Sequence, residues 1–307
     1  MSIVVVGSIA FDSVKTPFGE VEAALGGAAN YFSLSASFLT DVRLVGVVGE
    51  DFPESHLDYL QERGVDTAGV QRKSGRTFHW KGQYGFDLNE PRTLQTDLNV
   101  FADFSPELPP HYRDSETVFL ANIDPTLQLR VLDQVRRPKL VALDTMNFWI
   151  EGKNAELKEA IKRVHILFIN ESELRQLTNE HNVVKAARLI QEWGPHTVVV
   201  KRGEYGAILF QGMSTFFVPA YPLEDLYDPT GAGDTFAGGF LGWLDRSAGL
   251  DFETFKEAMT VGSVMASFVI EEFSFNRLKT LQKSEIEARC GSLQRLSTSS
   301  RQIQLEG

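Results

Sequence analysis

The 307-residue chain has a single cysteine, Cys290, and therefore cannot form a disulfide within itself. Disulfides mark oxidising compartments, so this composition favours a reducing one. The first residues lack the basic start and the long apolar core of a signal peptide, and no apolar run reaches the length of a membrane span. The sequence thus predicts a cytoplasmic protein with no membrane partner.

Positive charge is also scarce. Thirty Lys and Arg residues stand against 41 Asp and Glu residues, which gives a net charge of −11. Nucleic-acid-binding proteins usually carry a basic patch, so we expect no nucleic-acid partner. No Gly-x-Gly-x-x-Gly follows the first predicted strand, and no Gly-x-x-x-x-Gly-Lys-Ser/Thr occurs. These absences argue against a nicotinamide-dependent dehydrogenase and against the common nucleoside triphosphatases.

Hydrophobic residues are plentiful and regularly patterned. They make up 43% of the chain, which is enough for a packed core. Short β-branched runs, such as residues 3–6 and 198–200, alternate with segments of helical apolar spacing. This alternation predicts a mostly parallel sheet with helices on both faces. Residues 207–210 and 215–218 have the pattern of an antiparallel hairpin attached to that sheet.

Two segments, residues 14–24 and about 74–102, interrupt the alternation. The second carries aromatic residues at mostly even spacing, which would share one face of a strand pair: Phe78, Trp80, Tyr84 and Phe86. A small sheet cannot bury both of its faces, so it should cover a cleft, pair with a partner subunit, or do both. We therefore predict a single domain over residues 1–307, with a lid made of these inserted segments and with a homodimer through the lid as an open alternative.

The most informative motif is Asp-Pro-Thr-Gly-Ala-Gly-Asp at residues 228–234, which runs directly into an apolar helical pattern. Small residues at the start of a helix leave its first backbone N–H groups free to bind an anion. A carboxylate at such a site is poorly suited to holding phosphate, but it can take a proton from an attacking hydroxyl. The motif therefore predicts phosphoryl transfer to an alcohol, with Asp234 at the reacting centre.

Three further motifs accompany it in a fixed order. Asp12 follows the first strand, Gly-Gly-x-x-Asn at residues 26–30 begins a helix, and Asn-x-x-Glu at residues 170–173 follows a mid-chain strand. Together with the 228–234 motif, they resemble the PfkB, or ribokinase-like, carbohydrate kinases over nearly the whole chain. The resemblance implies a three-layer α/β/α doubly wound fold, with a mostly parallel sheet and a small β-sheet lid. It also implies that the chain is an ATP-dependent, magnesium-dependent kinase.

The resemblance assigns a role to each motif residue. Asp234 becomes the catalytic base, and an anion hole for the transferring phosphate is formed by Gly231, Ala232 and Gly233. The positions that match the acceptor site are Asp12, Gly26, Gly27 and Asn30. The positions that match the nucleotide site are Asn170, Lys201, Gly203, Gly206, Gly231 and Gly233. Glu173 matches a magnesium position that acts through water, a mode that suits a strongly hydrated cation.

Some of these residues have a simpler interpretation. Asn170 and Glu173 also have the spacing of a helix capping box, and both roles are compatible. Lys201 stands where relatives often have a small polar residue, so it either reaches a phosphate or is simply solvated. Asn122 and Asp144 are candidate acceptor residues on position alone, because they follow strands at the sheet edge where doubly wound folds bind ligands.

The motif also raises the question of a monovalent cation. Some relatives hold one with the Asp and Thr of the motif, here Asp228 and Thr230, and with carbonyl groups of a late loop that contains glycine. Residues 269–275 contain no glycine, which argues against potassium activation.

The leading hypothesis is an ATP-dependent kinase that phosphorylates a hydroxyl of a small sugar or polyol. A nucleoside kinase of the adenosine, inosine or cytidine type is the alternative, because aromatic residues of the predicted lid could stack on a base. A non-catalytic nucleotide-binding module is a third hypothesis, since a fold by itself does not fix a function.

Overall fold

A computed structural model describes residues 2–89 and 91–297 of the chain, with two sheets. The strands of the larger sheet are β1 (Ser2–Val6), β4 (Asp41–Val48), β5 (Val65–Arg72), β8 (Thr117–Leu120), β9 (Leu140–Asp144), β10 (Ile166–Asn170), β11 (Thr197–Lys201), β12 (Ala207–Gln211) and β13 (Ser214–Val218). Those of the smaller sheet are β2 (Ala10–Thr16), β3 (Gly19–Gly26), β6 (Phe78–Tyr84) and β7 (Pro91–Asp97).

The larger sheet has the order β13-β12-β11-β10-β9-β8-β1-β4-β5. Its strands are parallel from β11 to β5, whereas β11, β12 and β13 pair antiparallel, so the predicted hairpin is confirmed. The inner strands are almost entirely buried because helices cover both faces, which explains their continuous Val, Ile and Leu runs. The edge strand β5 alternates irregularly between buried and exposed residues, and the sequence pattern did not predict it.

Helices pack on both faces of this sheet. They are α1 (Ala28–Ala36), α2 (Glu54–Glu62), α3 (Pro125–Leu132), α4 (Asn147–Gly152), α5 (Asn154–Ile161), α6 (Glu171–Thr178), α7 (Val183–Trp193), α8 (Ala232–Arg246), α9 (Phe252–Val269), α10 (Asn276–Thr280) and α11 (Lys283–Ser297). Two separate apolar clusters form the core, one on each face: α1, α2 and α8–α11 contribute to the first, and α3–α7 to the second. Among the described residues, no helix is both long enough and apolar enough to cross a bilayer.

The smaller sheet is built from the two segments that interrupt the sequence pattern. Its order is β3-β2-β6-β7, in which β2 and β6 run parallel and the outer pairs run antiparallel. The predicted small sheet outside the main layer is therefore present. Because β2 follows β1 closely in the chain, this sheet stands beside the carboxyl ends of the parallel strands, where α/β sheets bind ligands.

Candidate active site

The carboxyl ends of the inner strands carry most of the predicted site residues. Asp144, Asn170 and Lys201 end β9, β10 and β11, and Asn122 follows β8 by two residues. These strands are neighbours and run parallel, so their carboxyl ends meet at one edge of the sheet. The fold thus gathers polar side chains from four strands at the edge where a ligand is expected.

The N-terminus of α8 is held in place by a glycine. Gly231 has φ +76°, and a Cβ at this position would lie 2.5 Å from ring carbons of the buried Tyr31. The Thr235 N–H donates to the Gly231 carbonyl oxygen (2.8 Å). The N–H groups of Gly233 and Asp234 precede Thr235 in the first turn of α8, at the positive end of the helix dipole. This arrangement suits an anion.

Asp234 lies in the first turn of α8 and is half-buried. Burial raises the pKa of its carboxyl group to about 7; the Asp144 carboxylate adds to the rise, and the Lys201 ammonium opposes it. A carboxylate with such a pKa is a stronger base than an ordinary Asp and is still largely ionised at mildly alkaline pH. The environment of Asp234 therefore suits proton abstraction, and its role as the base stays a prediction.

Asp12 in β2 and Asn30 in α1 lie beside the same glycine pair. Asp12 is 7% exposed and accepts a hydrogen bond from the Gly27 N–H (3.4 Å), and a Cβ on Gly26 would overlap its carboxylate. Asn30 is fully buried and donates from Nδ2 to the Gly26 carbonyl oxygen (2.8 Å). Within residues 2–89 and 91–297, Asn30 Oδ1 has no hydrogen-bond partner. A carboxylate and an unpaired amide oxygen suit a ligand with adjacent hydroxyl groups.

Electrostatics links Asp12 to the 228–234 motif. Burial raises the pKa of Asp12 to about 7; the hydrogen bond from Gly27 opposes the rise, and the Asp228 and Asp234 carboxylates add to it. These residues are far apart in the sequence, so only the folded chain brings their charges close enough to interact. The predicted acceptor residue and the predicted base therefore lie near each other in the folded chain.

The small sheet contacts this site through one of its aromatic residues. Tyr84 in β6 is 8% exposed, and its hydroxyl accepts a hydrogen bond from Thr230 Oγ1 (3.3 Å). The Trp80 ring lies against Gly82, and Phe86 lies beyond the strand with 87% exposure. Tyr84 therefore joins the small sheet to Thr230 of the 228–234 motif.

Asn170 and Glu173 form the capping box that their spacing predicts. Asn170 Oδ1 accepts a hydrogen bond from the Glu173 N–H (2.7 Å), and Glu173 Oε2 accepts one from the Asn170 N–H (3.0 Å). The structure thus confirms their capping role at the start of α6. Contact with a nucleotide or with Mg²⁺ stays a prediction for both residues.

The loop after β11 turns on two glycines with positive φ, Gly203 at +55° and Gly206 at +86°. The Arg202 N–H donates to the Gly206 carbonyl oxygen (2.8 Å) and closes the loop. A Cβ on Gly203 would lie 2.5 Å from Asn89 Oδ1. The predicted nucleotide loop therefore contacts the segment that joins β6 to β7 in the small sheet.

The other two predicted acceptor residues direct their polar groups to neighbouring side chains and backbone. Asp144 is 2% exposed; its Oδ1 accepts from the Thr145 N–H (2.9 Å) and its Oδ2 from Lys201 Nζ (2.5 Å). Asn122 Oδ1 accepts from Trp149 Nε1 (2.9 Å). An acceptor role for Asp144 and Asn122 stays a prediction, and the pairing of Asp144 with Lys201 suggests another use for that carboxylate.

Asp228 and Thr230 also have partners within the protein. Asp228 is 1% exposed and accepts hydrogen bonds from the N–H groups of Thr230 (2.9 Å) and Ser274 (3.3 Å). In the part of the chain that the structure describes, no three His, Cys, Asp or Glu side chains are grouped so that they could hold a metal ion. Magnesium binding at Glu173 stays a prediction, and so does the argument from residues 269–275 against potassium activation.

The sequence patterns missed the contacts that join the elements of this site. Tyr31 has the apolar spacing of α1, yet it also fixes the position of Gly231. Nothing in the sequence pairs Tyr84 with Thr230 or Asn89 with Gly203. The position of Asp144 after a strand and the family resemblance at Lys201 pointed to each residue separately, but no local signal predicted that they meet.

Comparison with known proteins covers nearly the whole chain. The model of the pfkB family of carbohydrate kinases matches residues 2–280. A cytidine kinase of Thermococcus kodakarensis is 33% identical over 257 residues, which is 82% of this chain and 91% of that protein.

Two solved structures have the same fold. The nucleoside kinase of Methanocaldococcus jannaschii superposes with a TM-score of 0.75 at 20% identity and covers 95% of this chain and 98% of its own. The ribokinase of Thermotoga maritima superposes with a TM-score of 0.74 at 22% identity, with coverages of 95% and 99%. At sequence identities of 20–22% the structural similarity shows the fold alone, and it confirms the predicted ribokinase-like architecture.

Proposed function

The chain belongs to the pfkB family of carbohydrate kinases, and we propose that its phosphotransferase reaction carries the γ-phosphoryl group of ATP to a ribose hydroxyl of a nucleoside. The observation that carries the choice of acceptor is the 33% identity to a cytidine kinase over 82% of the chain. A free sugar, the leading hypothesis from the sequence, has no comparable support. The nucleoside alternative is therefore the better proposal.

The acceptor would lie between the start of α1 and the small sheet, which contributes Asp12 from β2. The Asp12 carboxylate and Asn30 Oδ1 are both acceptors and would bind adjacent ribose hydroxyl groups. Tyr84, linked to Thr230, would cover the reacting groups and exclude water, which otherwise competes with the nucleoside as the acceptor.

The reaction would take place at the N-terminus of α8. Asp234 would take the proton from the attacking hydroxyl oxygen, which then forms the bond to phosphorus as the bond to the departing ADP oxygen breaks. The N–H groups of Gly233 and Asp234 would stabilise negative charge on the transferring group. ATP supplies that group, and Mg²⁺, which Glu173 would hold through water, offsets the charge of the phosphates.

An acceptor panel tests the proposal. Cytidine, uridine, adenosine, inosine, ribose and fructose are each supplied with ATP and Mg²⁺, ADP release is followed in a coupled assay, and the product mass is determined. We expect a nucleoside to give the highest kcat/KM and a nucleoside monophosphate as the product. A free sugar with the highest kcat/KM would overturn the acceptor class.

A single variant tests the chemistry. Asp234→Asn keeps the size of the side chain and removes the base, so we expect kcat to fall by about 100-fold or more while the Kd for ADP, measured by calorimetry, changes little. Near-normal turnover in Asp234→Asn would refute the mechanism. Nucleotide binding by the unmodified protein without turnover of any panel member would favour the non-catalytic alternative.

A further inference from the structure

A nearly buried ion pair lies at the centre of the candidate site. Lys201 Nζ is 2.5 Å from Asp144 Oδ2, and the two side chains are 19% and 3% exposed. Burial by itself lowers the pKa of a lysine, but the Asp144 and Glu173 carboxylates outweigh this effect and hold the pKa of Lys201 above its ordinary value. The ammonium group is therefore charged at every pH at which the protein would act.

The path of the Lys201 side chain brings it between two helix N-termini. Lys201 pairs in register with Asn170 on β10, and Asp144 pairs with Phe168 on the other side of the same strand. Neighbouring strands lie about 4.8 Å apart, so the lysine crosses the end of β10 to reach Asp144. Its ammonium group thus lies beside the start of α6, which Asn170 caps, and near the start of α8.

The Lys201 ammonium group lies close to the first turn of α8. A Cβ on Gly233 would lie 3.0 Å from Lys201 Nζ. Asp234 is also near enough to raise the pKa of Lys201, and Lys201 in turn lowers that of Asp234. The ammonium group therefore lies next to the N–H groups that would receive the transferring phosphate.

Hydrogen bonds fix Asp144 in the position from which it binds Lys201. Its second carboxylate oxygen accepts the Thr145 N–H (2.9 Å). The fully buried Gln128 of α3 donates from Nε2 to the carbonyl oxygens of Asp144 (3.0 Å) and Ala121 (3.0 Å), which fixes the end of β9 to the end of β8. Side chain and backbone of Asp144 are both fixed, so the position of Lys201 is defined before any ligand binds.

A gain in folding stability is a poor explanation for the presence of a buried ion pair. Desolvation of two charges offsets most of their attraction, and apolar residues of similar volume often stabilise a protein as much or more. A preorganised positive charge beside a phosphate site, in contrast, stabilises the charge that develops in phosphoryl transfer. The location of the Asp144–Lys201 pair is therefore better explained by a role in catalysis than by a role in stability.

We propose that Lys201 is a catalytic residue whose ammonium group binds the phosphoryl group during transfer, and that Asp144 is its positioning residue rather than a ligand of the acceptor. The oxygen atoms of the transferring group would approach Nζ from the cleft while Asp144 holds it from the protein side. The acceptor proton still goes to Asp234, and ADP leaves with the electron pair of the broken bond. The inference rests on the proposed phosphotransferase chemistry but on no particular acceptor.

Four variants test the inference: Lys201→Met, Lys201→Arg, Asp144→Asn and the double variant Lys201→Met/Asp144→Asn. We expect Lys201→Met to lower kcat about 100-fold, with a much smaller change in the KM of the acceptor, and Lys201→Arg to recover part of the loss. Asp144→Asn should lower kcat about tenfold, since the lysine remains but is less well held. The melting temperature of each variant is measured beside its kinetics.

The double variant separates catalysis from folding. Each single variant leaves one buried charge unpaired and should melt at a lower temperature, whereas the double variant has no unpaired charge and should recover much of that loss. Its kcat should nevertheless equal that of Lys201→Met, because Asp144 acts through Lys201 and has nothing left to position. Lys153→Met, which removes a more exposed ion pair with Asp124, is the control and should keep the unmodified kcat.

Three results would overturn the inference. The pair is structural if the double variant regains kcat together with its melting temperature, or if Lys201→Met stays within about threefold of the unmodified kcat. Asp144 is an acceptor ligand if Asp144→Asn chiefly raises the KM of the acceptor and its effect adds to that of Lys201→Met. Failure of the nucleoside proposal shows instead in the acceptor panel of the unmodified protein, and the variants are then compared with whichever acceptor that protein uses.

Discussion

Replacing Gly231 with Ala tests whether one glycine sets the position of the α8 N-terminus. The new Cβ would lie 2.5 Å from Cδ1 and Cδ2 of Tyr31, at a residue with φ +76°. A side chain in this left-handed region costs about 1–2 kcal/mol, and forcing a methyl group into a packed site costs about 1–3 kcal/mol. We therefore expect the free energy of unfolding to fall by about 2–5 kcal/mol.

Tyr31 has little room to relieve the overlap. Its ring is 1% exposed and packs edge to face against Phe275, with 4.8 Å between the ring centroids. The backbone at residue 231 must therefore move, and the N–H groups of Gly233 and the side chain of Asp234 move with it. Because a displacement of about 1 Å in an active site can cost about 100-fold in rate, kcat should fall as well.

Urea unfolding followed by fluorescence measures the stability change, with kcat taken from the coupled assay on the same samples. Gly152→Ala is the matched control, because a Cβ at Gly152 meets nothing within 4 Å and its φ is not positive. We expect the control to stay within about 0.5 kcal/mol of the unmodified protein. A loss below about 1 kcal/mol in Gly231→Ala, with unchanged kcat, would show that the loop tolerates a side chain and that our account of it is wrong.

Three further predictions concern charge and the small sheet. Asp12 and Asp234 both have pKa values raised to about 7 and must be ionised to act, so kcat/KM should fall steeply below pH 7 in a pH-rate profile. Tyr84→Phe removes the hydrogen bond that Thr230 donates and should raise the KM of the acceptor about two- to tenfold with little change in melting temperature. Burial, aided by Lys279, lowers the pKa of His56 from 6.5 to about 4, so the unfolded chain gains a proton below pH 6.5 that the folded ring does not take up. His56 should therefore cost the protein up to about 3 kcal/mol of stability as the pH falls from 6.5 to 4, a loss that His56→Phe should abolish in urea unfolding across that range.

Each of these predictions has a clear contrary result. A pH-rate profile that stays flat down to pH 5 would contradict the raised pKa values of both carboxyl groups. Unchanged kinetics in Tyr84→Phe would mean that the contact with Thr230 does not help to close the site. Equal pH dependence of stability in His56→Phe and in the unmodified protein would show that His56 takes up its proton in the folded state.

The fold could be predicted largely from local patterns. Continuous Val, Ile and Leu runs mark strands that are buried on both faces, and the change to helical spacing between them marks crossover helices. The edge strand β5 lacks such a run, because an edge strand is partly exposed and alternates irregularly. Helix α4 is short, and its pattern is too brief to stand out from a loop.

The site could be predicted where one segment carries the whole arrangement. Residues 228–234 hold both the glycine that turns the chain and the acid that follows it, and Asn170 with Glu173 forms a cap within one helical turn. Where two interacting residues lie on different helices or strands, the sequence patterns identified each residue but did not predict the contact between them. The ion pair of Asp144 and Lys201 is the main case, since it joins the ends of two strands across a third.

Sequence by itself determined the alternation of strands and helices, the glycine turn before α8 and the identity of the acids and amides at the strand ends, because each depends on residues that are close in the chain. The tertiary structure decided which of these groups meet and how strongly they are charged. Asp12 and Asp234 have raised pKa values because folding removes them from water and places them near other carboxylates. Lys201 became part of the site because folding brought the ends of β9 and β11 to the same edge of the sheet.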